Sequence, residues 1–299
     1  MAALAAGAAF LISNTAANLE ARHIASGFGF LRREAGFEIG ESFFLRYDAG
    51  QSYLRALGVG LVNTLVVSAI GILLATALGT VVGLARLSGA PLLRGMASAY
   101  VEFVRNVPLL VQLFFWYALL TDGLPGPREA LEPLPHVFVT NRGIFLPSFA
   151  GVPRLQGFNF AGGLAITPEF GALLVGLAIY TAAFIAEIVR AGILAVPRGQ
   201  YEASAALGLG NRDRMRFVVL PQALRVIVPP LASQYLNLTK NSSLAVAIGF
   251  PDLVSIANTA MNQTGQAIEG VAIIMAAYLT ISLAISALMN WYNARVARR

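Results

Sequence analysis

Residues 58–87 hold a single charged side chain, Arg86. A helix that crosses a bilayer needs about 20 mostly apolar residues, and this run exceeds that length. Comparable runs follow at 97–120, 170–193, 226–250 and 271–292. The apolar run 1–13 is short for a span and has no basic residues before it, as a signal peptide would. The expectation there is a first helix whose start lies upstream. Only 12% of residues are charged and 57% are hydrophobic. Soluble domains carry roughly 25% charged residues, so this chain cannot dress its surface for water. The predicted fold is an all-α membrane protein of about six spans.

Charge placement sets the expected topology. The formal net charge is +6, and the basic residues are almost all arginines at the ends of apolar runs. That placement fits membrane orientation and argues against a nucleic-acid partner. By the positive-inside rule, the links 86–94 and 194–225 and the C-terminal tail face the cytoplasm. The stretches 14–53, 121–167 and 251–268 then lie outside. The domain reading is an N-terminal helix and outer segment over 1–56, a transmembrane domain over 57–293 and a tail over 294–299. The domain holds an outer insertion at 121–167 and a cytoplasmic loop at 194–225. Trp116, Tyr117, Trp291 and Tyr292 suit either interfacial belts or packing within the bundle. Cysteine is absent, which excludes disulfides and thiolate metal sites.

The loop 194–225 is strongly patterned. Tyr201 to Leu207 is rich in helix formers, Gly208 supplies a stop, and Leu209-Gly210-Asn211 has turn composition. An amphipathic stretch follows, with Arg212, Arg214 and Arg216 among Met215, Phe217, Val218, Val219 and Leu220, and Pro221 is expected to close it. The prediction is a short helix, a sharp turn and a second short helix beneath the membrane. Such an element fits a groove on a partner protein, with Glu202 offering one charge. It fits equally an amphipathic helix lying on anionic lipid.

The spacing Glu202-Ala203-Ser204, three residues, Gly208, nine residues, Val218-x-Leu220-Pro221 resembles the EAA loop of ABC importer permeases. Ser204 and Val218 are the two departures, standing where that family has Ala and Ile. The likeness extends to 102–113, 180–192, Pro221-Gln222-Ala223-Leu224-Arg225 and 238–244, which resemble segments of polar amino-acid permeases. The outer stretches 14–29, 141–143 and 262–265 resemble the general L-amino-acid and glutamate/glutamine/aspartate branch. The segment 121–167 is shorter than in many members of that branch. The resemblance implies a type I ABC importer permease of the bacterial inner membrane. It implies a second homologous permease subunit, an ATPase dimer carrying ATP and Mg, a periplasmic amino-acid-binding protein and a polar L-amino-acid substrate. It also implies alternating access, with Gln200, Tyr201, Glu202, Ala203, Ser204, Gly208, Leu220 and Pro221 coupling to the ATPase. The chain has no Gly-x-x-x-x-Gly-Lys-Ser/Thr loop, so no cofactor is expected on it and ATP must bind elsewhere.

Polar residues within the runs are costly in lipid and are expected to be paired or functional. Glu102 with Arg105, and Glu187 with Arg190, lie three apart on helix faces, within pairing reach. Gln234, Asn237 and Asn241 share a face, with Lys240 beside them. They read as a strip along a solute path or as bonds fastening helices. Asn63, Thr64 and Gln112 stand between the same two readings. The pair Pro229-Pro230 is expected to kink or break the fifth span. Two rival classes fit less well. An ion-coupled transporter calls for related halves, and no internal repeat is found. A membrane enzyme calls for clustered ligands, and His23 and His136 have no ligand-like spacing.

Overall fold

The computed structural model describes residues 26–149 and 151–297, together with isolated positions between 6 and 21. The first helix expected over 1–13 falls mostly outside the described residues. Helices α1 (Tyr53–Ala85), α2 (Pro91–Asn106), α3 (Leu109–Thr121) and α4 (Pro168–Leu194) come first. A nine-residue helix, α5 (Arg198–Ala206), follows α4. Next come α6 (Asn211–Arg214), a π-helical turn Met215–Val219, and α7 (Leu220–Asn241) continued by a 3₁₀ segment Ser242–Ile248. Then come α8 (Leu253–Thr264) and α9 (Ala267–Ala297). Among the described residues, four helical stretches are long and apolar enough to cross a membrane: Tyr53–Ala85, Pro168–Leu194, Asn211–Ile248 and one beginning at Ala267. The bent pair α2–α3 makes five if it counts as one span.

Three sequence expectations change here. The run 97–120 is not one straight helix: α2 and α3 meet at 104°. Val107 is extended (φ −94°, ψ 126°) because the ring of Pro108 disfavours helical backbone in the residue before it. Pro221 does not close a second short helix. It sits in the first turn of α7, and the helical path runs on from Asn211 to Ile248. The π turn makes that possible: the Leu220 N–H bonds back to the Met215 carbonyl, and Pro221 has no N–H to leave unpaired. Nor do Pro229 and Pro230 break α7. The carbonyls that lose partners belong to Arg225 and Val226, which lie on the exposed side of the helix.

The insertion between α3 and α4 carries six short strands. β1 (Leu131–Leu134), β2 (Val137–Thr140), β3 (Gly143–Leu146) and β6 (Leu164–Ile166) form an antiparallel sheet in the order β1-β2-β3-β6. β4 (Arg154–Gln156) and β5 (Asn159–Ala161) make a separate hairpin. Phe138 on β2 stacks on Phe160 of β5 with centroids 4.3 Å apart, joining the two sheets.

Backbone contacts divide the chain into two compact units. One takes the chain up to Asn63 together with Pro251–Leu279. Its core packs Phe30, Tyr53, Ala56 and Leu57 against Leu253, Ile256 and Ala260. Asp252 is fully buried and caps α8 by accepting the Ser255 N–H at 2.8 Å. Burial pushes its carboxyl up to about 6.

The other unit takes Thr64–Phe250 and the chain from Thr280. Its axis is α4, with Ala172, Leu173, Leu177, Ala182, Ala183, Ile185 and Ala186 fully enclosed by its neighbours. Two glycines of α1 allow its close approach to α4. A Cβ on Gly79 meets the Ile185 Cβ at 2.7 Å and the Ala182 carbonyl at 2.8 Å, and one on Gly83 meets the Ala186 carbonyl at 2.8 Å. Gly-x-x-x-Gly spacing lets helix backbones meet where lipid supplies no hydrophobic drive. The strands lie before α4 and α5 lies after it, so the two ends are separated by about 40 Å of helix rise.

Candidate functional site

Helix α5 stands between α4 and the long helix that starts at Asn211, and it touches the π turn Met215–Val219 on one side. Its end is a complete Schellman motif. Gly208 is left-handed at φ +78°, its N–H bonds the Ala205 carbonyl at 2.9 Å, and the Leu209 N–H bonds the Ser204 carbonyl at 3.1 Å. Ser204 is the buried residue of α5, at 3% exposure. Its hydroxyl donates to the Tyr201 carbonyl at 2.9 Å, which explains how Ser replaces Ala there without an orphaned polar group. The Tyr201 hydroxyl donates to the Ile193 carbonyl at 3.3 Å, tying α5 to the end of α4. Gln222 donates to Gln200 Oε1 at 3.1 Å, tying α5 to α7.

The opposite side of α5 is bare. Gly199, Gln200, Glu202, Ala203, Ala205 and Ala206 are exposed, and Leu207 projects at 81% exposure. Around this small-residue face stand Arg198, Arg212 and Arg216, all exposed, against Glu202 and Asp213. Leu220 and Pro221 do not lie on α5 but begin α7, both exposed. The arrangement does no bond chemistry. It is a short, exposed ridge of small residues framed by arginines.

The charged pairs within the helices come out differently. Arg190 meets Glu187 at 2.5 Å. Glu187 also binds Arg86, at the end of α1, and Arg86 in turn lies 3.4 Å from the Ser98 hydroxyl of α2. Sequence reading placed Arg86 only as a topology marker, because nothing in the chain order links it to a carboxylate 101 residues on. Among the described residues, Glu102 and Arg105 form no ion pair. The Arg105 guanidinium lies over the Phe184 ring of α4, 5.1 Å from its centroid.

The polar residues divide into two groups. Asn63 is fully buried, and its amide donates to the carbonyls of Glu41 (2.8 Å) and Pro251 (2.9 Å). Gln112 donates to the carbonyls of Val104 (2.9 Å) and Val107 (3.0 Å), so it clamps the bend between α2 and α3. Both amide nitrogens are spent on backbone carbonyls, which favours the packing reading over the path one. Thr64 is likewise fully buried. Asn237 and Lys240 are exposed and Gln234 and Asn241 half-buried. None of these four side chains bonds to another described residue.

The family model for the binding-protein-dependent transport system inner membrane component matches residues 71–299. The chain belongs to that family: it is a multi-pass inner-membrane transport subunit of a binding-protein-dependent system, not an enzyme. It is 45% identical to the putative amino-acid ABC transporter permease protein YhdX of Escherichia coli strain K12, over 96% of this chain and 90% of that protein. It is 42% identical to the general L-amino acid transport system permease protein AapQ of Rhizobium johnstonii, over 95% and 87%. Among solved structures, an amino acid ABC transporter crystallised with histidines is similar, with 30% identity and a TM-score of 0.63 over 81% of this chain and 95% of that one. An inward-facing structure of the MetNI methionine transporter shares the fold, with a TM-score of 0.57, at 20% identity over 81% and 96%.

Proposed function

We propose that this subunit forms part of the path by which polar L-amino acids enter the cell, and that α5 is the helix through which a separate ATPase drives it. What carries the reading is α5 itself: a bare nine-residue helix, closed by a left-handed glycine, set between two long apolar helices. The relatives named for amino-acid transport support the substrate class. The partners are an ATPase dimer that holds ATP and Mg, a second homologous permease and an amino-acid-binding protein on the outer face.

In this mechanism ATP draws the two ATPase subunits together. Their grooves move and carry α5, α4 and α7 tilt with it, and access to the path passes from one side of the membrane to the other. The C-terminus and α5 share the cytoplasmic side, as the arginines at the helix ends favour. Gln234, Asn237, Lys240 and Asn241 face the path or the partner permease, since a polar strip on an apolar helix cannot face lipid. Their contacts with solute are weak, because transport requires release.

Glu202→Cys, on the bare face, tests the central step. In the assembled transporter the introduced thiol is expected to crosslink to a cysteine placed in the ATPase groove, with a yield that changes with nucleotide. A variant that labels freely with a water-soluble reagent yet never crosslinks overturns the reading. Lys240→Met is expected to alter uptake in the otherwise unchanged transporter while leaving that crosslink in place; unaltered uptake removes Lys240 from the path.

A further inference from the structure

The backbone between α5 and the long helix that follows is rich in glycine. It runs Leu207-Gly208-Leu209-Gly210, with Gly208 left-handed and nothing within 4 Å of a Cβ built on either glycine. Two glycines in four residues bend under a sideways load, because Gly loses more freedom on ordering than any other residue. A helix pushed from outside would flex this turn before it moved the span behind it. Load reaches α7 only if something stiffer bridges the turn.

The Gln222 amide is in the right place. One of its hydrogen bonds goes to the Val218 carbonyl on its own helix at 3.0 Å, which fixes its orientation. Another goes to Gln200 Oε1 on α5 at 3.1 Å, a bond that closes a loop of 22 residues. Gln222 stands one residue beyond Pro221, past the π turn, on the regular part of α7. Val219 and Ala223 beside it are fully buried, so its backbone is anchored. On the other side of α5, the Tyr201 hydroxyl bonds the Ile193 carbonyl at the end of α4. Two side-chain hydrogen bonds thus hold α5, and among the described residues the Gln200–Gln222 bond is the one that adds to the packing of α5 on the π turn across the glycines.

We propose that Gln222 is a positioning residue for energy coupling: its bond to Gln200 carries the motion of α5 into α7 across a turn too soft to carry it. This rests on α5 being the ATPase-driven helix. The bond is exposed, so it adds little to stability. Its loss is read in how much solute moves per ATP, not in whether the protein folds.

The test uses the complete transporter with its ATPase, partner permease and binding protein in proteoliposomes. Uptake and ATP hydrolysis are measured together, with glutamate and glutamine as probes. Gln222→Leu and Gln200→Leu are each expected to lower uptake per ATP about fivefold, the factor that one net hydrogen bond is worth. The double Leu variant is expected to be no worse than either single one. Gln200→Glu with Gln222→Lys, which replaces the bond by an ion pair, is expected to restore the ratio. A wild-type ratio in Gln222→Leu, or additive losses in the double variant, overturns the proposal. The Glu202→Cys crosslink is measured in the same variants. If it forms while Gln222→Leu is silent, only the bridge is wrong; if it never forms, the coupling role of α5 fails first.

Discussion

Replacing Gly208 by Val perturbs the turn that ends α5 through the backbone alone. The glycine sits at φ +78°, and a Cβ there meets nothing within 4 Å. No clash or lost packing confuses the result. An L-residue in the left-handed region costs about 1–2 kcal/mol, and a β-branched one falls toward the upper end of the roughly 1–3 kcal/mol range for strained backbone. If the chain escapes by leaving that region, it forfeits the bonds from Leu209 N–H to Ser204 and from Gly208 N–H to Ala205. At about 1 kcal/mol each, the two routes converge on a penalty of about 2 kcal/mol. That is roughly a thirtyfold loss in the population with the turn properly set. The turn is exposed and α5 buries only Ser204, so insertion and the core around α4 are untouched. Uptake per ATP in reconstituted transporter is the assay, with Ala and Asn as companions. The expected order is Gly, then Asn, then Ala, then Val, since Asn tolerates the left-handed region best among the three replacements. A Val variant with wild-type uptake per ATP would falsify the reasoning. So would an Asn variant as impaired as Val, because the penalty would then not come from φ.

Four further outcomes follow. Gly79→Val drives new atoms into Ile185 and the Ala182 carbonyl, and the overpacking is expected to cost about 1–3 kcal/mol, seen as a lower Tm in detergent; Gly89→Ala, at an open position, is expected to leave Tm unchanged. Gln112→Leu strands the carbonyls of Val104 and Val107 at the bend and is expected to cost about 1–3 kcal/mol by the same measurement. Glu187→Gln leaves Arg86 and Arg190 sharing no carboxylate and is expected to lower Tm, whereas Glu102→Gln, which breaks no ion pair, is not. Asp252 gives a pH signature of definite sign. Its folded carboxyl titrates near 6, against 3.8 when free, so between these values the folded state binds more protons. The contribution of Asp252 to stability is then greatest below about pH 4 and is lost as pH rises through 6, by about 3 kcal/mol for a two-unit shift. Asp252→Asn keeps an acceptor for the Ser255 N–H and is expected to flatten the Tm–pH curve between 4 and 7; an unchanged slope in that variant counts against the buried carboxyl as its source.

The long helices were legible because bilayer thickness sets a length, and the runs in α1, α4 and α9 meet it. Helix α5 was legible for a local reason: helix formers running into Gly208 leave the backbone one easy way to stop. The bend between α2 and α3 was missed although its cause, Pro108, stood in view, because composition outweighed one breaker in a continuous apolar run. The strands of the insertion are three or four residues long, too short for a period to register. Pro221 misled in the opposite direction, since a π turn lets the helix absorb it, and exposed carbonyls let α7 run on past Pro229 and Pro230 without a break. What sequence could not sort was the fate of polar side chains in apolar runs, because their partners are backbone carbonyls that composition does not record. Asn63 and Gln112 turn inward, where their amide nitrogens donate to backbone carbonyls. Asn237 and Lys240 look the same in the sequence but lie exposed on the long helix after α5, with no bond to another described side chain or carbonyl. A cation on an exposed face within an apolar stretch is stable only against water or a polar surface. The exposed amide and cation on α7 therefore call for water or a polar surface beside that face.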